Sequence, residues 1–218
     1  MTMNMPATPS PATLGPLLKA TTAALHRRVE RGAFMSRLLR GQLDRAAYVA
    51  LLHNLHALYA ALEDALAAHA ATPSVGPVVM PALFRRRSLA ADLLVLGGTA
   101  PPPPLAWATQ QYVQRLGEIG ANQPGLLVAH AYVRYLGDLN GGQALRRVVA
   151  RNLGLADDAG TRFYDFGDSA TRAQLEHEFR AGLERAAVHQ PQLQALADEA
   201  LAAFERHEQL FEELAASP

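Results

Sequence analysis

The chain has 218 residues, half of them hydrophobic, with twenty basic and twenty acidic side chains and no cysteine. That length suits one domain with a sizeable core, and the balanced charge excludes a general attraction to nucleic acid or anionic membranes. The missing cysteine excludes disulfides, thiolate metal ligands and iron–sulfur clusters, and it fits a reducing, cytoplasmic setting.

Residues 1–12 are rich in Pro, Thr and Ser and read as a disordered tail. They lack the basic region and apolar run of a signal peptide. Residues 13–216 read as one all-α domain, a single bundle of about seven or eight helices. Apolar residues recur at helical spacing from Leu14 to Arg31, and again from Asp44 to His69, where Asp44 suits an N-cap and Pro73 follows the end. A shorter helix spans Arg86 to Leu96 and stops at Gly97 and Gly98. Pro101 to Pro104 form a stiff connector. The next helix runs from Trp107 to Gly117 and breaks at GANQPG. Pro124 opens a long helix that continues to Leu153. A loop follows, with an extended stretch at Phe163 to Phe166. Ser169 caps a helix to His189, and Pro191 opens the last one, to about Ala215. No alternating β pattern and no 20–50-residue repeat occurs. No apolar run approaches the ~20 residues of a membrane span.

Several chemistries of helical proteins are excluded by spacing. Glu-x-x-His, the di-iron carboxylate pattern, is absent, and so are His-Glu-x-x-His, Gly-x-Ser-x-Gly and the phosphate-binding loop of nucleotide hydrolases. Two helix faces remain. Lys19, Thr22, His26 and Glu30 are spaced by three, four and four, so they fall within a narrow arc of the first helix. That arc offers a cation, a hydroxyl, an imidazole and a carboxylate, with Glu30 placed to orient His26 as an acceptor orients a metal-bound histidine. An exposed polar stripe with one half-buried histidine fits the same spacing.

The second face belongs to YVRYLGDLNGGQAL (Tyr132 to Leu145), a helix carrying Gly137, Gly141 and Gly142. Each costs about 1 kcal/mol relative to alanine inside a helix. Gly137 and Gly141 flank an Arg134–Asp138 pair at i, i+4. A glycine face admits a flat ligand to the backbone itself. Close helix packing across Gly-x-x-x-Gly and a surface ion pair explain the same pattern. Taken together, the two faces suit a planar iron cofactor ligated on one side and open to a small gas molecule on the other.

LLVAHAYVRYLGDLNGGQAL resembles the distal-helix signature of the haem oxygenase family, with Asn140 where that signature usually has Ser. LKATTAALHRRVE is similar to the family's proximal helix, and the likeness continues in order to the terminal QLFEEL. The resemblance implies residue roles. His26 would be the proximal ligand of haem iron and Glu30 its acidic partner. Gly137, Gly141 and Gly142 would lie against the haem. Asp138 would be the catalytic aspartate, with Arg134, Tyr59 and Tyr135 in the distal polar region. Lys19, Arg180 and Tyr132 would sit near the propionates, and Thr22 would join the haem-contacting face of the first helix. Phe204 and Phe211 would line the pocket. Ala23, Glu176 and His207 depart from the animal pattern, which is commonly basic at the first two positions and Asn at the third.

The implied reaction is cleavage of haem, both cofactor and substrate, at a meso carbon through an iron-bound hydroperoxide. It consumes O2 and electrons from an external reductase (a ferredoxin, flavodoxin or NADPH-dependent donor) and yields biliverdin, CO and ferrous iron. Asp138 would supply the proton through water. A monomer without nucleic-acid partner or membrane anchor is expected. Two clusters, Arg85, Arg86 and Arg87 with Arg146, Arg147 and Arg151, together suit a docking face for an acidic electron donor, although a solvated charge run fits each cluster alone better. The rival reading is a haem storage or delivery protein that leaves the ring intact.

Overall fold

The computed structural model describes residues 13–97, 103–156 and 159–216. The expected N-terminal tail and the first part of the Pro101–Pro104 connector lie outside these. The helices are α1 (Leu14–Arg31), α2 (Ala33–Leu39), α3 (Arg45–Ala68), α4 (Arg86–Leu96), α5 (Trp107–Asn122), α6 (Leu127–Ala131), α7 (Gly137–Leu153), α8 (Ser169–Ala187) and α9 (Leu193–Ala216). The described residues contain no strand.

α3 forms the centre. Asp44 caps it, its side chain accepting from the Ala47 amide at 2.8 Å. Leu52, Leu58, Leu62 and Leu66 are fully buried along it, each worth about 1.5–3 kcal/mol. α4 and α5 pack on α3, and α9 lies along α1 and α5. On α1, Leu14, Leu18, Thr22 and Leu25 face the core. This rotation leaves Lys19, His26 and Glu30 on the outward face. The start of α1 is fixed from α8, where Glu184 accepts the Leu14 and Gly15 amides at 2.9 and 2.8 Å. A carboxylate at these otherwise unpaired amides also suits the positive end of the helix.

The long helix expected from Pro124 to Leu153 is present but not uniform. A 3₁₀ turn (Pro124–Leu126) leads into α6, and Tyr132–Leu136 is a π-helical turn joining α6 to α7. The irregularity therefore falls just before the glycines rather than at them. Asn140 braces this junction, its Nδ2 donating to the Leu136 carbonyl at 2.8 Å. Gly154 ends α7 in the left-handed conformation (φ 61°), a common helix stop.

Several boundaries differ from the sequence reading. α5 continues past Gly117 to Asn122, because its buried Leu116 and Ile119 outweigh the glycine cost. Asp168, not Ser169, caps α8, accepting from the Thr171 amide at 2.8 Å, and α8 ends at Ala187. α9 starts at Leu193, two residues after Pro191. Phe163 to Phe166 is not an extended stretch. A 3₁₀ turn at Arg162–Tyr164 is held by Asp92, which accepts the Arg162 and Phe163 amides at 2.9 and 2.8 Å.

Arg85 is likewise no surface cation. It is buried and donates to the carbonyls of Ala82, Leu83, Phe84 and Asp165. Its guanidinium lies 3.9 Å from the centre of the Phe166 ring. Its charge closes the loop below α3, so it drops out of any docking face.

Candidate active site

α1 presents the first set of groups. His26 Nδ1 is 3.4 Å from Glu30 Oε2, one turn on, and both side chains are about half exposed. The His26 ring stands edge-on to Phe204 of α9, with centroids 5.7 Å apart. Thr22 turns back into its own helix, donating to the Leu18 carbonyl at 2.7 Å. Thr22 lies near the half-buried Tyr132 of the π turn. Burial pushes the Tyr132 phenol up, and Thr22 and Arg180 partly offset this.

The second set is buried and comes from three elements. Tyr59 of α3 donates its hydroxyl proton to Asp138 Oδ2 in a short hydrogen bond. Arg134, in the π turn, donates from Nε to the Tyr59 hydroxyl at 2.9 Å and from Nη2 to Asp138 Oδ1 at 3.0 Å. Both carboxylate oxygens therefore have partners, and the three side chains form a closed triangle. Burial raises the Asp138 carboxyl above its ordinary range, with Arg134 and Tyr59 pulling the other way. A carboxyl so placed gives up its proton less readily than an ordinary one. Burial also keeps the Tyr59 phenol protonated.

Gly137 and Gly141 flank Asp138. A Cβ added at either would meet nothing within 4 Å. They are not packed against another helix, so the Gly-x-x-x-Gly packing alternative fails. Gly142 differs, since a Cβ there would meet the Tyr164 ring at 3.5 Å. The room it leaves serves the packing of α7 on the Arg162–Tyr164 turn.

The remaining expected residues are more scattered. Lys19 is exposed. Arg180 is exposed and already carries an anionic partner, donating to Glu176 Oε1 at 2.9 and 2.7 Å. Phe211 is parallel-stacked on Phe34 of α2, with centroids 5.6 Å apart, further along α9 than Phe204. The Tyr135 hydroxyl is buried and has no hydrogen-bond partner among the described residues.

Residues 12–213 match the family model described as heme oxygenase. The chain belongs to the haem oxygenase family. It is 36% identical to heme oxygenase of Pyropia yezoensis, over 94% of this chain and 87% of that protein. It is 35% identical to heme oxygenase 1 of Bos taurus, over 94% of this chain and 72% of that one. Among solved structures, heme oxygenase from Leptospira interrogans superposes with a TM-score of 0.87 at 32% identity, covering 93% of this chain and all of that one. Heme oxygenase-1 from Synechocystis, solved in complex with heme, gives 0.84 at 32% identity, over 93% and 92%. The chain is thus an all-α enzyme of haem degradation, and no helix of its described residues is long and apolar enough to cross a membrane.

The residues fit a haem. Among the described residues no three His, Asp, Glu or Cys side chains are grouped to hold a bare metal ion. His26 therefore suits a metal that brings its other donors with it, as porphyrin iron does. The open backbone at Gly137 and Gly141 suits a flat ring.

Sequence reasoning gave His130 no role, yet it is fully buried between Tyr112 and Glu199; His207, noted only as a departure from the animal pattern, contacts Arg134. Their partners Tyr112, Glu199 and Arg134 lie on α5, α9 and the π turn, so no single spacing rule brings them together.

Proposed function

We propose that the chain opens haem at a meso carbon with O2 and external electrons, releasing biliverdin, CO and ferrous iron, and that the groups around Asp138 manage the protons. The observation that carries this reading is the closed Tyr59–Arg134–Asp138 triangle set between two glycines whose faces are open. Haem storage needs the open face but not a buried acid beside it.

Bound haem supplies the iron that takes up O2 and the ring that is opened. The chain's own side chains do the rest. His26 would hold the iron, with Glu30 orienting its ring. Gly137 and Gly141, whose faces are open, would let the ring lie against the backbone of α7. Asp138 presents one oxygen to Tyr59 and the other to Arg134, so it exchanges protons with a bridging water rather than by swinging onto the ligand. Arg134 keeps that carboxyl from rising too far, and Tyr59 fixes its plane. Phe204 supports the His26 ring. Lys19, Arg180 and Tyr132 hold the propionate edge, and Arg180 reaches it by exchanging Glu176 for a propionate. Electrons come from a ferredoxin, a flavodoxin or an NADPH-dependent reductase.

The test is direct. Haem is added to the protein with ascorbate or a reductase and O2. The Soret band is followed, CO is trapped, and the bilin is separated by chromatography. Loss of the Soret band with biliverdin and CO supports cleavage. A lasting haem spectrum with no bilin supports storage and overturns the proposal.

A further inference from the structure

α1 carries His26 beyond the part of the helix that the core holds. Its buried side chains are Leu14, Leu18, Thr22 and Leu25, and none follows Leu25. From His26 to Arg31 only Val29 turns inward, half-buried, and the other residues of this stretch are exposed. Burial therefore does not fix the end of the helix. An end without buried anchors opens and shifts at little cost, and any shift carries the His26 ring with it.

α9 holds this end through three contacts in order. The Phe204 ring meets His26 edge-on, with centroids 5.7 Å apart. Glu208, one turn further along α9, accepts from Arg28: Nε donates to Oε1 at 2.6 Å and Nη2 to Oε2 at 2.5 Å. Phe211 then stacks on Phe34 of α2. Of these contacts the Arg28–Glu208 pair is the directional one. Two parallel N–H···O bonds fix both the distance and the plane of the guanidinium. Glu205 and Glu212 lie one turn either side of Glu208, and both attract the Arg28 cation. The start of α1 is tied in a similar way, by Glu184 at the Leu14 and Gly15 amides. A carboxylate from another helix thus holds α1 on each side of His26.

As a stabiliser of the fold the pair is weak. The Arg28 side chain is 62% exposed and that of Glu208 21%, and exposed pairs add little. What it governs is place. Under the reading above, haem lies between His26 and the open backbone at Gly137 and Gly141. Its seat then depends on where the last turns of α1 stand.

We infer that Arg28 and Glu208 are positioning residues for the iron ligand: their bidentate bond between α1 and α9 clamps the turn that carries His26 against sliding and rotation. This rests on haem binding through His26, as proposed above, and not on ring cleavage.

The experiment compares the wild type with Arg28→Gln, Glu208→Gln and the double variant. Three readouts are taken. Amide hydrogen exchange at residues 26–31 is measured in the haem-free protein. Haem loss is timed by transfer to excess apomyoglobin. The iron–histidine stretching band is recorded by resonance Raman on the ferrous haem complex. That band reports the bond to His26 itself, which a pair that merely braced the surface would not move. Each single variant is expected to leave the melting temperature of the haem-free protein nearly unchanged. Each should lose haem about threefold faster, with faster exchange at 26–31 and a shifted or broadened band. The double variant should be no worse than either single one, because the two side chains form one contact.

Single variants with wild-type haem loss and an unchanged band overturn the inference. So do effects that add in the double variant, since the two side chains then act separately. If Glu208→Gln does not fold, Arg28→Lys, which keeps the charge but not the fork, carries the comparison with Arg28→Gln, and a Lys variant that recovers none of the loss overturns the clamp. A wild-type complex without an iron–histidine band removes His26 as ligand and the clamp with it. If the wild type binds haem through His26 but makes no biliverdin, the cleavage reading falls alone, and these readouts still decide the clamp.

Discussion

On α1 the proposed iron ligand and its acidic partner stand half in solvent along one regular helix. Around Asp138 the polar groups are buried and come from α3, the π turn, α7 and α9. His26 and Glu30 touch at 3.4 Å with half of each side chain exposed. Asp138 is 9% exposed and both its oxygens are taken. The difference follows from what each side must do. A ligand to iron needs a lone pair and a rough direction, which a single helix turn supplies. A proton-handling group needs its carboxyl kept away from bulk water and its orientation over-determined, which takes several elements. The exposed side should therefore tolerate change structurally and fail only in ligation. The buried side should fail in both chemistry and stability.

The largest effect expected is at Asp138. Asp138→Ala should still bind haem but lose about 10²- to 10⁴-fold in biliverdin formation. It should also destabilise the haem-free protein by about 3 kcal/mol, because it strands the buried Arg134 cation. Activity assays and denaturant titration read the two effects separately. Near-normal turnover would remove Asp138 from the proton network.

His26→Ala should give the opposite profile. Activity should fall by at least about tenfold and the haem spectrum should change. The melting temperature without haem should barely move, since the ring is half exposed. An unchanged spectrum would reject His26 as the ligand.

The two sides also differ in how far the chain discloses them. The alignment of Lys19, His26 and Glu30 was legible because they repeat at three- and four-residue spacing on one helix. The juxtaposition of Arg134, Gly137, Asp138 and Gly141 was legible for the same reason, although a π turn lies within their span. Tyr59 carried no local signal and was reached only through the family resemblance. His130, Glu199 and Tyr112 were not reached at all. Each looks like an ordinary amphipathic position, and only the packing of α5 and α9 makes them a network. Gly142 is set apart from the other two by packing: a Cβ there would rest on Tyr164, which its place in the motif did not disclose. Arg85 likewise looked like surface charge, and four carbonyls enclose it.

The glycines allow a finer test of what faces the ring. Gly141→Ala meets nothing within 4 Å, so the haem-free protein should gain about 0.5–1 kcal/mol from helix propensity. Haem binding should weaken by about tenfold if the ring lies against that backbone. Gly142→Ala should leave haem affinity unchanged, its methyl resting on Tyr164. Equal effects on Kd at the two positions would erase the distinction between them.

The contacts of Glu199 with His130 and Arg115 should show in acid. Burial pushes the Glu199 carboxyl up, but hydrogen bonds from His130 and Arg115 outweigh it and hold the group at about 2, against an ordinary 4.5. A depressed carboxyl stabilises the fold above its ordinary value, and that contribution disappears as the pH falls from 4.5 to about 2. Through that window the unfolded chain binds the extra proton. Glu199→Gln should therefore flatten the acid limb of a stability–pH curve while leaving haem affinity within about twofold. An acid limb identical to wild type would mean that the Arg115–Glu199 pair does not anchor α5 to α9.

The smallest effect expected lies at the propionate edge. Arg180 is exposed and bound by Glu176 in the same helix, so a propionate must compete with a carboxylate already in place. Exposed pairs are weak, so the competition is mild. Glu176→Gln should tighten haem binding by roughly twofold at low salt, with the gain fading as salt screens the pair. It should also sharpen the biliverdin isomer ratio, since a freer Arg180 fixes the rotation of the ring about the His26 axis. If affinity and isomer ratio both stay constant across salt, Arg180 does not meet the propionates, and Lys19 with Tyr132 must hold that edge.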